Sequence, residues 1–495
     1  MTNLLSGYSF AFLLHTAVIL AALLIYAVST HTSGQRRHPS AAIAWVLMIT
    51  LLPYVGLPLY LFVGTRKFVR PAKRRRQLPP LHVLAPGLQD CAIATLEGMG
   101  LAAPVANQCV RFHSDGNAAW EEFAALVNNA QTQLDICTYL LASDEVGEQV
   151  VRLLEARASA GVQIRLLLDT FGSWQTKIAQ VRRLRAAGVQ VHWFMPLLHN
   201  PFKGSVNLRN HRKLVIADQQ TLWSGGRNLA AEYFTGDAVK SPWLDLSFTV
   251  EGPLAAQAHA LFETYWYQHQ KRPRAPGNSP GNNPDNNPAN SQSTTHPFMA
   301  KPHVPVSAMA CPSRAVQSHY TQLVPSGPDQ AEDTVYGLLL TTLYRAQRRV
   351  LAVTPYFVPD DSLLKALCLA AQRGVRVELV VPARSNHRLA DMARARALRD
   401  LVAAGAVVRL APGMVHAKAV VVDDAIALCG SLNLDARSLF LNFELMVAFY
   451  DSQDIAAVTQ WIDGNFYHVP PYQPGRASLL RDIAEGLVRW LGFQI

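Results

Sequence analysis

His211 and Lys213 stand two residues apart with Asp218 five further on, and the same H-x-K-x4-D spacing recurs at His416, Lys418 and Asp423. Gly225 and Asn228 follow the first histidine, and Gly430 and Asn433 follow the second at the same offsets. A five-residue pattern of this kind arises by chance on the order of once in three million start positions. Two copies in one chain are therefore a duplication. On a β-strand, residues i and i+2 point to one face, so each copy delivers an imidazole and an ammonium to one spot. A single such histidine is more often a satisfied core residue. Two in duplicated lobes can face each other and pool two imidazoles, two lysines and two asparagines in one pocket.

Cations and amide donors suit the non-bridging oxygens of a phosphodiester. Paired imidazoles then divide the work. One attacks phosphorus to give a covalent phosphohistidine, and the other protonates the leaving alcohol and afterwards activates the incoming hydroxyl. No cofactor or metal is required, because the lysines supply the charge that a divalent ion would otherwise give. A zinc-like site would need convergent carboxylate or thiolate ligands, and a lysine beside each histidine argues against it. The candidate catalytic set is His211, Lys213, Asp218, His416, Lys418 and Asp423, with Asn228 and Asn433 as phosphate binders. Asp218 and Asp423 lie on the opposite strand parity, which favours a part in holding the following turn.

Whole lobes must carry these motifs, since the flanking sequence repeats too: AGVQIRLLLD (160–169) parallels RGVRVELVVP (373–382), and AAGVQVHWFMP (186–196) parallels AAGAVVRLAP (403–412). Helical patterns near 120–130, 145–160 and 178–187 alternate with strand patterns near 163–168, 189–194 and 213–217. Residues 331–347, 350–353, 362–373 and 375–381 repeat the alternation. The fold class is α/β, with two pseudo-symmetric α/β/α lobes. We expect lobes at 108–270 and 307–495, a connector at 77–107, and a flexible Pro/Asn-rich linker at 271–306 with nothing to bury. An apolar helical face at 478–495 fits a helix packed on the second lobe or, as the alternative, one lying on the membrane.

The chain of 495 residues is half hydrophobic, enough for two cores, and its net charge is +10. Seven of the positive charges fall between Arg66 and Arg76. Ahead of them lie two charge-free apolar stretches, at 10–28 and 41–63, which read as two transmembrane helices, the second kinked or re-entrant where it carries Pro53, Gly56 and Pro58. Residues 1–76 are thus a membrane anchor. Basic residues after the second stretch place the lobes on the cytoplasmic side of the inner membrane in a multi-pass topology. The six scattered cysteines include no C-x-x-C pair, which predicts reduced thiols.

The duplicated motif, with SGGRNLAAEY and SPWLDLSFTVEGP in the first lobe and PGMVHAKAVVVDD and GSLNLDARSLFLNFE in the second, resembles the phospholipase D superfamily. The stretch RRHPSAAIAWVLMITLLPYVGLPLYLFVG and NLDARSLFLNFE narrow the resemblance to bacterial cardiolipin synthases. The resemblance implies two phospholipase D-like lobes, His211 as nucleophile, His416 as acid and then base, and Asp245 and Glu444 as carboxylates that orient the imidazoles. It also implies transfer of a phosphatidyl group from one phosphatidylglycerol to another, with that lipid, other anionic phospholipids and the membrane as partners.

Three rival functions use the same residues differently. A membrane-bound phospholipase D would admit water in place of the second alcohol. A nuclease would use the basic run, which adjoins the membrane and lacks interleaved aromatics for stacking, so no nucleic acid is expected. A non-enzymatic scaffold would be expected to have lost a motif residue, and neither motif is degenerate. Oligomeric state is not encoded in these patterns.

Overall fold

The computed structural model describes residues 2–32, 39–64, 87–194, 208–236, 241–270, 318–475 and Glu485. The basic run, the linker at 271–306 and, apart from Glu485, the helix expected at 478–495 lie outside the described residues.

The first lobe is a seven-stranded sheet ordered β2-β8-β7-β6-β3-β4-β5. Its strands are β2 (Cys109–His113), β3 (Gln133–Thr138), β4 (Gln163–Asp169), β5 (Gln190–Phe194), β6 (Leu214–Ala217), β7 (Thr221–Gly225) and β8 (Ser247–Glu251). Strands β3, β4 and β5 run parallel, joined through helices α6 (Glu145–Ser159) and α7 (Ile178–Ala186), while β6, β7 and β8 form an antiparallel meander. The buried run LVIA of β6 is what a strand covered on both faces requires. Aspartates stop the chain where helices begin: Asp115 accepts from Ala118 N at 2.9 Å ahead of α5 (Gly116–Asn129), and Asp144 from Gly147 N at 2.8 Å ahead of α6.

The second lobe repeats the plan with β9 (His319–Ser326), β10 (Arg349–Val353), β12 (Arg376–Pro382), β13 (Val407–Ala411), β14 (Ala419–Val422), β15 (Ile426–Gly430) and β17 (Glu444–Phe449). It adds an eighth strand. The expected connector is more than a spacer: its helix α4 (Leu88–Gly98) packs on α9 (Thr334–Arg345), and β1 (Val105–Asn107) pairs antiparallel with β9. The chain thus starts on the second sheet before building the first. Asn107 ties the two, accepting from Leu254 N at 3.0 Å and donating to Thr321 Oγ1 at 2.9 Å.

The sheets share one interior. Its apolar cluster combines Leu214, Phe248 and Val250 with Val421, Val447 and Phe449, and with residues of α8 (Pro253–Gln270) and α13 (Ser452–Phe466). Each sheet buries its other face under its own helices in a separate cluster. A core common to both lobes fixes their mutual placement.

One expectation is met only in part and another needs correction. Where two transmembrane helices were expected, one helix among the described residues, α1 (Thr2–Thr32), is long and apolar enough to cross, through Phe12–Ser29. The second stretch is two short helices, α2 (Pro39–Leu51) and α3 (Pro53–Val63), broken at Leu52 because Pro53 starts a new helix. The helix α3 folds back, so that Tyr60 packs edge-on against Tyr26 at 4.8 Å and Trp45 at 5.4 Å. The thiols are also not all reduced. Cys91, Cys137, Cys368 and Cys429 are free, but Cys109 is disulfide-bonded. Sequence spacing could not reveal this, since a disulfide requires proximity in space and no local motif.

Candidate active site

The two motifs meet across the lobe interface through exchanged backbone. His211 N donates to Phe443 O and Phe443 N to Arg209 O, both at 2.9 Å. In the same way His416 N donates to Leu244 O at 2.7 Å and Leu244 N to Met414 O at 3.0 Å. The histidines were expected within strands. They lie instead in extended lead-ins, with β6 and β14 starting one residue after each lysine, because the lead-in pairs with the other lobe and not with its own sheet.

Each imidazole consequently faces a carboxylate from the opposite lobe. His211 Nδ1 lies 3.1 Å from Glu444, and His416 Nδ1 2.7 Å from Asp245. Fixing Nδ1 in this way leaves Nε2 of each ring as the nitrogen not engaged by a carboxylate. His211 keeps 14% of its side chain exposed and His416 only 4%. Lys213 Nζ reaches His211 O at 2.7 Å, while Lys418 Nζ sits 2.7 Å from His416 Nδ1 and 3.0 Å from its Nε2.

Electrostatics ties these groups into one unit. Burial lowers His211, Glu444 works against this, and Lys213 and then Lys418 lower it further. Burial, Lys418 and Lys213 likewise hold His416 well below its ordinary value. Lysines from both lobes thus act on both histidines. Burial alone would raise Asp245, yet His416, Lys418 and Arg227 outweigh it and hold the carboxyl at about 2. Burial also pulls Lys213 down to about 8 and Lys418 to about 7. The site therefore presents neutral imidazoles, ionised carboxylates and lysines poised near neutrality.

Asn228 Nδ2 lies 2.8 Å from Tyr233 Oη and Asn433 Nδ2 3.2 Å from Ser438 Oγ. Both asparagines are buried with the second amide atom unpartnered. Turning each amide over lets the hydroxyl donate to Oδ1 and leaves the NH2 group available to an anion.

Asp218 and Asp423 do not join the reacting groups, although they were in the candidate catalytic set. Both stand at positive φ (53° and 52°), at the far ends of β6 and β14 from the histidines. Asp218 accepts from the backbone N–H groups of Gln131, Thr132 and Gln133 at 2.7–2.9 Å, and Asp423 from Gln347, Arg348 and Arg349 at 2.8–3.0 Å. Each carboxylate is spent on the turn that enters β3 or β10. Asp218→Asn is accordingly expected to cost about 2–3 kcal/mol of stability while kcat of the folded fraction stays within about twofold. Denaturant unfolding beside active-site-normalised turnover checks this, and a large kcat loss at unchanged stability contradicts it.

Sequence reasoning missed several supports. Tyr139 packs edge-on against His211 at 5.0 Å, and Tyr233 against His416 at 4.9 Å. Fully buried Arg212 bridges the lobes, donating to Glu444 O at 2.8 Å and Ser326 O at 3.0 Å. Ser431 Oγ donates to Glu444 at 2.6 Å. The difference between Arg212 in NHRK and Ala417 in VHAK was the available signal for the bridge.

Two lobes of this topology, with two H-x-K motifs meeting between them, are the arrangement expected of the phospholipase D superfamily. Residues 123–266 and 339–466 match the family described as "Cardiolipin synthase, PLD-like domain", and residues 18–64 match "Phospholipase_D-nuclease N-terminal". The chain is 31% identical over 494 residues to "Cardiolipin synthase A" of Pseudomonas putida (strain W619), covering 96% of this chain and 95% of that one. It is 30% identical over 468 residues to the protein of the same name from Pseudomonas aeruginosa (strain UCBPP-PA14), covering 91% and 88%. Its fold is similar to phosphatidylserine synthase of Haemophilus influenzae Rd KW20, with a TM-score of 0.57 and 15% identity over 82% of this chain and 97% of that one. The chain belongs to the bacterial cardiolipin synthases of the phospholipase D superfamily and is a phosphatidyltransferase.

Proposed function

We propose that the protein joins two molecules of phosphatidylglycerol into cardiolipin and releases glycerol, through a phosphohistidine. The observation that carries this reading is the pairing of each histidine with the other lobe's carboxylate, which gives one site two oriented imidazoles. Nε2 of His211 attacks phosphorus, the bond to the headgroup glycerol breaks, and His416 gives the departing oxygen its proton. The anionic phosphodiester opposes the burial and lysine charges that keep His416 neutral, so that histidine gains its proton as substrate binds. In the second half, His416 takes the proton from the glycerol hydroxyl of another phosphatidylglycerol, whose oxygen attacks phosphorus as the P–N bond breaks. Lys213, Lys418, Asn228 and Asn433 hold the non-bridging oxygens throughout.

The test is incubation of the purified protein with phosphatidylglycerol labelled in both the phosphate and the headgroup glycerol. Cardiolipin and free glycerol in equal amounts are expected. Phosphatidic acid as the main product would make the enzyme a hydrolase instead.

A pH dependence follows from the lysines. With Lys418 near 7 and Lys213 near 8, both are charged below that window and lose their protons above it. Binding an anion must then draw the protons back, so KM for phosphatidylglycerol should rise from pH 7 to 9, steepening toward about tenfold per pH unit for each proton taken up. A KM that is flat across this range contradicts the reading.

We further propose that the lobes face the cytoplasm at the inner membrane, where the basic run at 66–76 meets anionic lipid. A multi-pass anchor needs α2 and α3 to cross together. At about 1.5 Å per residue neither spans about 30 Å alone, and α3 folds back on α1 and α2. A reporter fused to the N-terminus is therefore expected on the periplasmic side, opposite the lobes. Finding it in the cytoplasm would establish the second crossing.

A further inference from the structure

The backbone of the pocket is duplicated closely, and its side chains break the symmetry. Phe443 N to Arg209 O matches Leu244 N to Met414 O, and Asn442 N to Arg437 O at 3.0 Å matches Trp243 N to Glu232 O at 2.8 Å. These bonds put Arg209 in register with Met414 and Arg437 with Glu232. The half of the pocket around His211 therefore carries two guanidiniums where the half around His416 carries a thioether and a carboxylate.

Arg209 precedes His211 by two residues in the extended lead-in, so Arg209, His211 and Lys213 share one parity. Its guanidinium lies 5.0 Å over the Phe171 ring, and among the described residues it makes no ion pair. Arg437 is half-buried in the short helix α12 (Ala436–Phe440), and its carbonyl accepts from Asn442 N, the neighbour of the Phe443 whose N–H is held by Arg209 O. Burial lowers Arg437, Asp435 opposes this, and the Arg209 charge lowers it further. Both guanidiniums also act on Tyr139, the ring packed against His211. Two guanidiniums beside a pocket that already holds two lysines make this half attractive to a further anion, although Asp435 and Asp169 already act on Arg437.

The proposed reaction brings two phosphates to this pocket. Lysines and asparagines hold the one being transferred. The acceptor lipid carries a phosphodiester of its own, one glycerol away from the attacking hydroxyl, and none of those four residues serves it. We propose that Arg209 and Arg437 form a second phosphate subsite, which holds the phosphodiester of the acceptor lipid while its glycerol hydroxyl reaches the transferred phosphorus. This rests on the phosphatidylglycerol-joining reading. Arginine suits the task because its planar fork grips a phosphate through two parallel hydrogen bonds.

The experiment compares two reactions that share a donor and differ in acceptor. Cardiolipin formation uses a phosphate-bearing alcohol, and exchange of labelled glycerol into phosphatidylglycerol uses one with no charge. In Arg209→Met, which copies the residue in register in the other lobe, and in Arg437→Gln, the ratio of cardiolipin formation to exchange should fall at least about tenfold. An unchanged ratio, with both rates lost or both retained, overturns the proposal. The wild-type protein gives a second reading free of folding effects: glycerol 3-phosphate should outcompete glycerol as acceptor, and equal use of the two would also overturn it. Wild-type protein that makes neither cardiolipin nor exchanged lipid would instead count against the underlying function.

Discussion

His211→Ala and His416→Ala should each lower cardiolipin formation by at least about 10⁴-fold, because covalent transfer needs both a nucleophile and a proton donor and acts as one unit. Neither change should unfold the protein. The cross-lobe hydrogen bonds of the histidines are made by backbone, and Glu444 remains held by Ser431 and Asn442 when the His211 ring is gone. Asp245 still accepts from Leu246 N at 2.7 Å and lies near Lys418 and Arg227 without the His416 ring. Turnover and thermal unfolding are measured together on each variant. Either variant forming cardiolipin at more than a few per cent of the wild-type rate would end the two-histidine account.

Gly226→Ser should be nearly as damaging, although Ser431 holds the matching place in the other lobe without harm. In the second lobe Ser431 Oγ donates to the long Glu444 side chain and accepts from Leu445 N at 2.9 Å. In the first lobe the shorter Asp245 brings its own oxygen to Leu246 N, and that carboxylate fills the space a side chain at 226 would need. A serine there must push Asp245 away from His416. Loss of the carboxylate that fixes an imidazole's tautomer costs on the order of 10²–10⁴ in kcat, so a loss in that range is expected with little change in KM. Gly226→Ser combined with Asp245→Glu copies the second lobe's pairing and should recover much of the rate. Wild-type kcat in Gly226→Ser alone would show that Asp245 does not position His416.

Much of this was legible in the sequence because duplication is a signal that needs no structure. The two motifs, the α/β alternation and the lobes could be read from spacing and repeats, and His211, Lys213, His416 and Lys418 do come together. Pairing across lobes could not be read, since it depends on which lead-in meets which carboxylate in space. The sequence resemblance named Asp245 and Glu444 without saying that each serves the other lobe. Asp218 and Asp423 were carried along by the motif, and only their turn hydrogen bonds separate structural from reacting groups. Strand β1 was hidden because three residues carry no periodicity, and the break at Leu52 turned an apolar stretch of spanning length into two short helices.

Trapping the intermediate tests the central claim most directly. His416→Ala keeps the nucleophile but lacks both the acid for the departing glycerol and the base that activates the second alcohol, so the phosphatidyl group should load slowly and then persist on the enzyme. Acid-labile, base-stable label from phosphate-labelled phosphatidylglycerol is expected on the peptide containing His211, approaching one per active site. No label on either histidine peptide, from protein that still binds the lipid, would contradict the covalent mechanism.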